Sequence, residues 1–498
     1  MDAPLELTPE RVAPCHSPDW LVLTLACVAQ FMVLLDVSIV NVALPSIKHS
    51  LGFSQAELQW VLNAYTLTFA GFLLLGGRLA DLFGRRRIFL VGLAVFTLSS
   101  LLGGFAQNQA MLISARAAQG LGGAILSPAT LTILTTTFRE PQARARAMGM
   151  WSAVAGAGGA AGALLGGILT EELSWRWILF INIPIGIVTF IVARIFLQEM
   201  RAEGEREPLD VLGAVLVTSG LTALVFGVVR TTSVGWGSWQ TLVVLVLAAG
   251  LLGWFVAHEG LVAKSPIMRL SLFKRRSIWT ANVVMFLLSG ALFAMWFFVS
   301  LYLQLVQGYS PLRTGFAFVP QTLAIMIGAQ ISSRVVLRLG PRPLLVAGGL
   351  CSAVGLLLFS GLGVHTAYWS GFFAPSVLVT FGLGISFTPL AYAATAGIPR
   401  HESGLASGLV NTSRQIGGAV GLAALATIAT TRTHHVAHAV NQLVALTDGY
   451  TLAFRISSAI ALAAGLAALL VPARLAEQAA SPAAAAPLSE PAALRTAE

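Results

Sequence analysis

Residues 20–44 read WLVLTLACVAQFMVLLDVSIVNVAL, a run with a single charged residue, Asp36. A helix rises about 1.5 Å per residue, so this stretch is long enough to cross a hydrocarbon core roughly 30 Å thick. The rest of the chain repeats the pattern. Of its 498 residues 56% are hydrophobic and only 10% charged, and the mean hydropathy is +0.81. A soluble domain carries about 25% charged residues. The sequence predicts an all-α polytopic membrane protein.

Fourteen apolar spans are expected, near 20–44, 58–77, 88–106, 110–137, 147–170, 177–197, 211–229, 239–258, 279–305, 314–334, 344–362, 371–394, 404–429 and 450–472. Turn-like or charged segments such as SLGFSQAE, FREPQARAR and REPLD separate them. An even number of spans puts both termini on one side. Of the 30 Lys and Arg residues, 22 fall on the side of the termini and 5 on the other. The positive-inside rule makes the first side cytoplasmic, so the net charge of +9 reads as topology rather than nucleic-acid binding. Small Arg-rich loops point to a bacterial cytoplasmic (inner) membrane. Cys15, Cys27 and Cys351 are scattered without metal-ligand spacing, and no disulfide framework is indicated.

An internal echo organises the chain. GRLADLFGRRRIFLVG at 77–92 resembles SRVVLRLGPRPLLVAG at 333–348, with Gly84 opposite Gly340 and Asp81 opposite Leu337. Transporters are built from such parallel halves. The expected division is a cytoplasmic N-terminus at 1–19, a six-helix bundle at 20–197 and an inserted helix pair with its linkers at 198–278. A second six-helix bundle at 279–472 and a disordered cytoplasmic tail at 473–498 follow.

Of the 21 acidic residues only Asp36 sits well inside a span. Inserting an Asp at a helix centre costs about 2.5–3.5 kcal/mol, so such a residue is usually kept to bind an ion, carry a proton or pair with a buried base. Burial disfavours the carboxylate and a guanidinium favours it. A site that changes those terms between two conformations moves a proton, whereas a static ion pair braces the fold. Both readings stand at this point. Arg116 is the expected partner. Counting from the outer helix ends, Asp36 and Arg116 lie about 12 and 9 Å deep at 1.5 Å per residue, which is one level. A structural arginine bonded to backbone carbonyls is the alternative for Arg116. Arg414, also interior, either meets an anionic substrate group or packs.

WSAVAGAGGAAGALLGGIL at 151–169 places Gly158, Gly162 and Gly166 at every fourth position. One helix face thus lacks side chains, giving a packing groove or a mobile contact. Asn41, Asn63, Tyr65, Gln119, Trp296, Tyr302, Gln321 and Asn411 mix polar and aromatic groups in several spans. They suit amphipathic ligands or ordinary packing. HHVAH at 434–438, expected in an outer loop, has no carboxylate or cysteine beside it to support a metal site.

Four stretches together resemble the major facilitator superfamily, and more closely its fourteen-span drug:proton antiporters. GGRLADLFGRRR resembles the superfamily's cytoplasmic loop signature, carried by Gly77, Leu79, Asp81, Gly84, Arg85 and Arg86. LDVSIVNVALP is similar to the first-span motif, ARAAQGLGGA to the fourth-span motif, and WRWILFINIPIG at 175–186 to a further stretch of that group. The resemblance implies two six-helix bundles plus two inserted helices, with Asp36 and Arg116 as the proton-coupling pair. Asp81 and the arginines after it would form a cytoplasmic latch. It implies a monomer that exports lipophilic small molecules in exchange for protons, with the lipid bilayer as surroundings, no cofactor and no nucleic-acid partner. The fifth-span motif of that group has Pro after a Gly, whereas here Ala163 follows Gly162.

Other classes fit less well. Only Lys48, Lys264 and Lys274 are available, none with the glycine spacing of a nucleotide-binding loop. No buried His, Cys or acid pair offers acid–base or metal chemistry for an enzyme. The remaining rival is a proton-coupled importer or facilitator of a small metabolite on the same fold.

Overall fold

The computed structural model describes residues 18–138, 140–199, 210–263, 266–267, 270–395, 403–437 and 440–472. Among them every regular element is helical. The first seven helices are α1 (Asp19–Leu51), α2 (Trp60–Phe83), α3 (Arg85–Gly104), α4 (Gln109–Thr137), α5 (Pro141–Glu172), α6 (Trp177–Phe180) and α7 (Asn182–Phe196). Next come α8 (Val211–Val234) and α9 (Trp239–Ala257). The last six are α10 (Arg276–Leu301), α11 (Pro311–Leu339), α12 (Pro341–Phe359), α13 (Phe373–Thr395), α14 (Ser403–Ala437) and α15 (Gln442–Ala467). Eleven helical stretches among the described residues are long and apolar enough to span a membrane, with α6 and α7 together forming one, Trp177–Phe196. The expected N-terminal segment and tail, and most of the linker after α7, lie outside the described residues.

The α6–α7 break at Ile181 has a local cause. Pro184 has no N–H, so it offers no hydrogen bond to the carbonyl one turn back, at Phe180. Asn182 therefore opens a helix instead of sitting within one.

The chain forms two compact units. In the first, α1 packs on α5, α4 packs on both α2 and α3, and α3 packs on α7. In the second, α10 packs on α14 and α15, and α12 on α13 and α15. Apolar side chains gain little by leaving lipid, so helices join where backbones approach closely. A Cβ on Gly120 would sit 2.3 Å from the Tyr65 carbonyl oxygen, and one on Gly122 2.5 Å from the Phe96 nitrogen. In the second unit a Cβ on Gly421 would sit 2.3 Å from Gly290 Cα. Conversely, Val243, Val246 and Leu247 of α9 are exposed, as a lipid-facing surface should be.

The two loop copies share one backbone feature. Gly84 precedes α3 at φ 99° and Gly340 precedes α12 at φ 78°. L side chains avoid this region. HHVAH corrects an expectation: His434 and His435 lie in the last turn of α14 rather than in an outer loop. Imidazoles there are compatible with the negative end of the helix dipole, so no loop is needed to explain them. No group of metal-ligating side chains is found among the described residues.

Candidate functional site

Four elements of the first unit converge on Asp36. Asn108 caps α4 by accepting a hydrogen bond from Met111 N at 2.9 Å. Arg116 lies two turns into that helix and Gln119 three residues further, on the same face. Arg116 Nη1 donates to Asp36 Oδ2 at 2.6 Å and to Gln119 Oε1 at 2.7 Å. Gln119 Nε2 donates to Asp36 Oδ1 at 2.8 Å and to Ser100 Oγ of α3 at 3.1 Å. Asn182 Nδ2, at the start of α7, donates to Asp36 Oδ1 at 3.2 Å and to Ser100 Oγ at 3.0 Å. Ser100 Oγ donates in turn to the Leu179 carbonyl at 2.8 Å. Arg116 Nε donates to the Val61 carbonyl at 3.1 Å, and its guanidinium lies 4.6 Å from the Tyr65 ring centroid.

Asp36 is 0% and Arg116 1% exposed. A buried charge is tolerated when it is paired and its remaining lone pairs and protons are bonded, and this cluster meets nearly all of that demand. The exception is Asn182 Oδ1, which is buried and has no hydrogen-bond partner. In this conformation the carboxylate is sealed from water. The geometry alone is equally that of a structural brace, and the difference between brace and proton site lies in whether the cluster opens.

The structure distributes the other expected residues unevenly. Gln119, expected against substrate, instead has both amide atoms bonded within the Asp36 cluster. The hydroxyl of Tyr302, also expected there, donates to the Gly363 carbonyl at 2.7 Å and accepts from Gln307 Nε2 at 2.7 Å. Asn41 Nδ2 donates to its own helix, at the Val37 carbonyl. Asn63 and Tyr65 are buried in α2. Trp296 is half-buried against Phe293, with centroids 6.1 Å apart. Arg414 donates through Nε and Nη2 to Asn411 Oδ1 at 3.0 and 2.8 Å. Gln321 is 1% exposed with neither amide atom bonded.

At the loop signature, Glu199 supplies what the sequence did not reveal. Its Oε1 accepts from Arg86 N at 3.2 Å, and Oε2 lies 3.7 Å from Arg87 Nε. A Cβ on Gly84 would fall 2.3 Å from Oε1. The Arg86 guanidinium donates to the Arg194 carbonyl, and Arg85 is half-buried beside it in sequence. A Cβ on Gly77 would lie 3.5 Å from Pro128 Cβ, an ordinary contact. The side chain of Asp81 lies outside those described. Gly158, Gly162 and Gly166 face α1: Cβ atoms there would meet the carbonyl oxygens of Phe31, Leu35 and Ile39 at 2.9, 2.7 and 2.8 Å. α5 runs without interruption through Ala163.

The profile of the Major Facilitator Superfamily matches residues 26–422. The chain belongs to that superfamily, a group of membrane transporters. It is 47% identical over 410 residues to the cephamycin export protein CmcT of Amycolatopsis lactamdurans, covering 82% of this chain and 84% of that protein. It is 40% identical over 432 residues to the puromycin resistance protein pur8 of Streptomyces alboniger, covering 86% and 85%. Among solved structures it is similar to the bacterial homolog of the human lysosomal transporter Spinster in its inward-facing, unoccupied conformation. That match has a TM-score of 0.63 at 15% identity and covers 91% of this chain and 96% of the other. At that identity it shows the fold alone.

Proposed function

We propose that this superfamily member is a fourteen-span drug:proton antiporter of a bacterial cytoplasmic membrane, with both termini in the cytoplasm. It exports lipophilic or amphipathic small molecules as a monomer driven by the proton gradient, without a cofactor. The observation that carries the reading is the fully buried acid Asp36 within α1, held by three N–H donors from Arg116, Gln119 and Asn182. Relatives named for cephamycin export and puromycin resistance support export of antibiotic-like compounds.

Asp36 exchanges its proton in conformations that open the sealed cluster to one aqueous side at a time. Arg116 stays charged throughout and sets how readily the carboxylate accepts a proton. The cluster is therefore neutral with Asp36 ionised and carries one positive charge with it protonated. That difference gives the two protonation states different conformational preferences, which is all that coupling needs. Gln321, Asn411, Arg414 and Trp296 are the substrate-side residues of this reading.

The test uses inverted membrane vesicles with a respiration-generated ΔpH. Added substrates should dissipate ΔpH in the wild type and leave it intact in Asp36→Asn, with Asp36→Glu retaining part of the response. Importer activity would reverse the sign of compound accumulation in cells treated with a protonophore. If Asp36→Asn extrudes compounds against a gradient as the wild type does, Asp36 is a brace and the coupling assignment is wrong.

A further inference from the structure

A carboxylate that takes up a proton needs an acceptor for it, because the neutral acid has an O–H to satisfy. Around Asp36 every visible contact is a donor: Arg116 Nη1, Gln119 Nε2 and Asn182 Nδ2. The oxygens nearby are already engaged. Gln119 Oε1 accepts from Arg116. Ser100 Oγ accepts from Gln119 and Asn182 while its own hydrogen goes to the Leu179 carbonyl. Within the cluster the one side-chain acceptor without a partner is Asn182 Oδ1, fully buried on a residue already touching the carboxylate.

We propose that Asn182 is the hydrogen-bond partner of the protonated form of Asp36, presenting Oδ1 in place of Nδ2 by rotating its amide. This rests on the proton-coupling reading above. The step balances simply. A hydronium ion from the open aqueous side gives a proton to Asp36 Oδ1 and leaves as water, and the carboxylate becomes a carboxylic acid. The side-chain amide of Asn182 turns about its terminal torsion, a broad, roughly two-fold rotor. Its Oδ1 then accepts the new O–H, and the Ser100 hydroxyl hydrogen swings from the Leu179 carbonyl to the same oxygen. No bond other than the O–H forms or breaks. A leucine at this position would lack both functions, and an aspartate would add a charge. An asparagine alone serves the charged form with N–H and the neutral form with C=O.

The other groups facing the pair do not substitute for it. Arg116 of α4 is the charged neighbour and has no acceptor, and Tyr65 of α2 lies against the Arg116 guanidinium. Gly158 and Gly162 of α5 pack against Phe31, Leu35 and Ser38 of α1, and from α3 the facing residue is the neutral Ser100.

The test reads the carboxylic-acid C=O stretch of Asp36 by pH-difference infrared spectroscopy of the purified protein in lipid, identified as the band lost in Asp36→Asn. Asn182→Leu removes the N–H that serves the charged form together with the C=O that serves the neutral one, so a titration midpoint would report only the difference between the two bonds. This band instead reports the O–H donated by the neutral acid. Loss of the acceptor should move the band to higher frequency in Asn182→Leu, and Asn182→Ser, which keeps a hydroxyl able to accept, should stay closer to wild type. Asn182→Ala takes the place of the leucine variant if the latter does not reach the membrane. A band at the wild-type frequency in Asn182→Leu overturns the proposal. If the wild type moves no protons with substrate, or Asp36→Asn moves them normally, the failure belongs to the coupling reading instead.

Discussion

The polar interiors of the two units are built differently. In the first, an acid and a base from α1 and α4 neutralise each other, and amides and a hydroxyl from α3, α4 and α7 bond nearly every remaining lone pair. In the second, the interior arginine, Arg414, is fixed by an amide, Asn411, and another amide, Asn282, accepts from Ser413 at 2.7 Å. Between residues 279 and 447 the chain has a single acidic residue, Glu402. Gln321 is buried and unbonded. A closed, neutral cluster suits a group that must hold and release one proton. An interior with a buried, unbonded amide, Gln321, suits a ligand that changes from turnover to turnover. In the proposed reading, coupling belongs to the first unit and substrate contact to the second.

Arg116→Met should break this contrast most severely, because it strands a buried carboxylate at a cost of about 3–5 kcal/mol. Arg414→Met removes a cation bonded to a neutral amide and should cost about 1 kcal/mol. Thermal unfolding of the purified variants in detergent measures both, and equal losses would end the distinction between the units.

The next largest single loss falls at the two loop glycines. Gly84→Ala places a Cβ against Glu199 as well as in the left-handed region, and should cost about 2–3 kcal/mol. Gly340→Ala adds the backbone strain and should cost about 1–2 kcal/mol. The same melting series, with transport measured alongside, checks the order.

The smallest effect sharpens the contrast through its sign. Gln321→Leu removes two unsatisfied buried groups and should leave stability unchanged or raise it by about 1 kcal/mol, while substrate KM rises several-fold. Gln119→Leu should lower stability by about 2 kcal/mol, because both of its amide atoms are bonded. A Gln321→Leu variant with unaltered KM for every transported compound would remove that residue from the substrate path.

Charge was the most legible signal. Asp36 and Arg116 stand out because charges are costly in lipid, and helix rise put them at one depth before any contact was known. Gln119 was visible as a residue of the fourth span, but its bonding to Asp36 was not, since an amide suits a ligand and a carboxylate equally. Ser100 and Asn182 gave little signal: small polar residues in apolar helices ordinarily bond their own backbone, although Asn182 lay within the quoted WRWILFINIPIG. Glu199 was illegible because an acid after a span is ordinary, and only contact with Gly84 and Arg86 distinguishes it. The bonding of Tyr302 was illegible for another reason: its hydroxyl is satisfied across a loop, at Gly363, which no helical spacing reveals.

The side-chain-free face of α5 has one further consequence. Where side chains interdigitate, a helix is held in register, and moving it means lifting every knob from its hole. Along Gly158, Gly162 and Gly166 there are no knobs on α5, so α1 approaches bare backbone, and Ser38 Oγ donates to the Gly159 carbonyl at 2.6 Å across the seam. That surface resists a single added methyl strongly, and its register is held by backbone proximity and this one hydrogen bond rather than by side chains of α5.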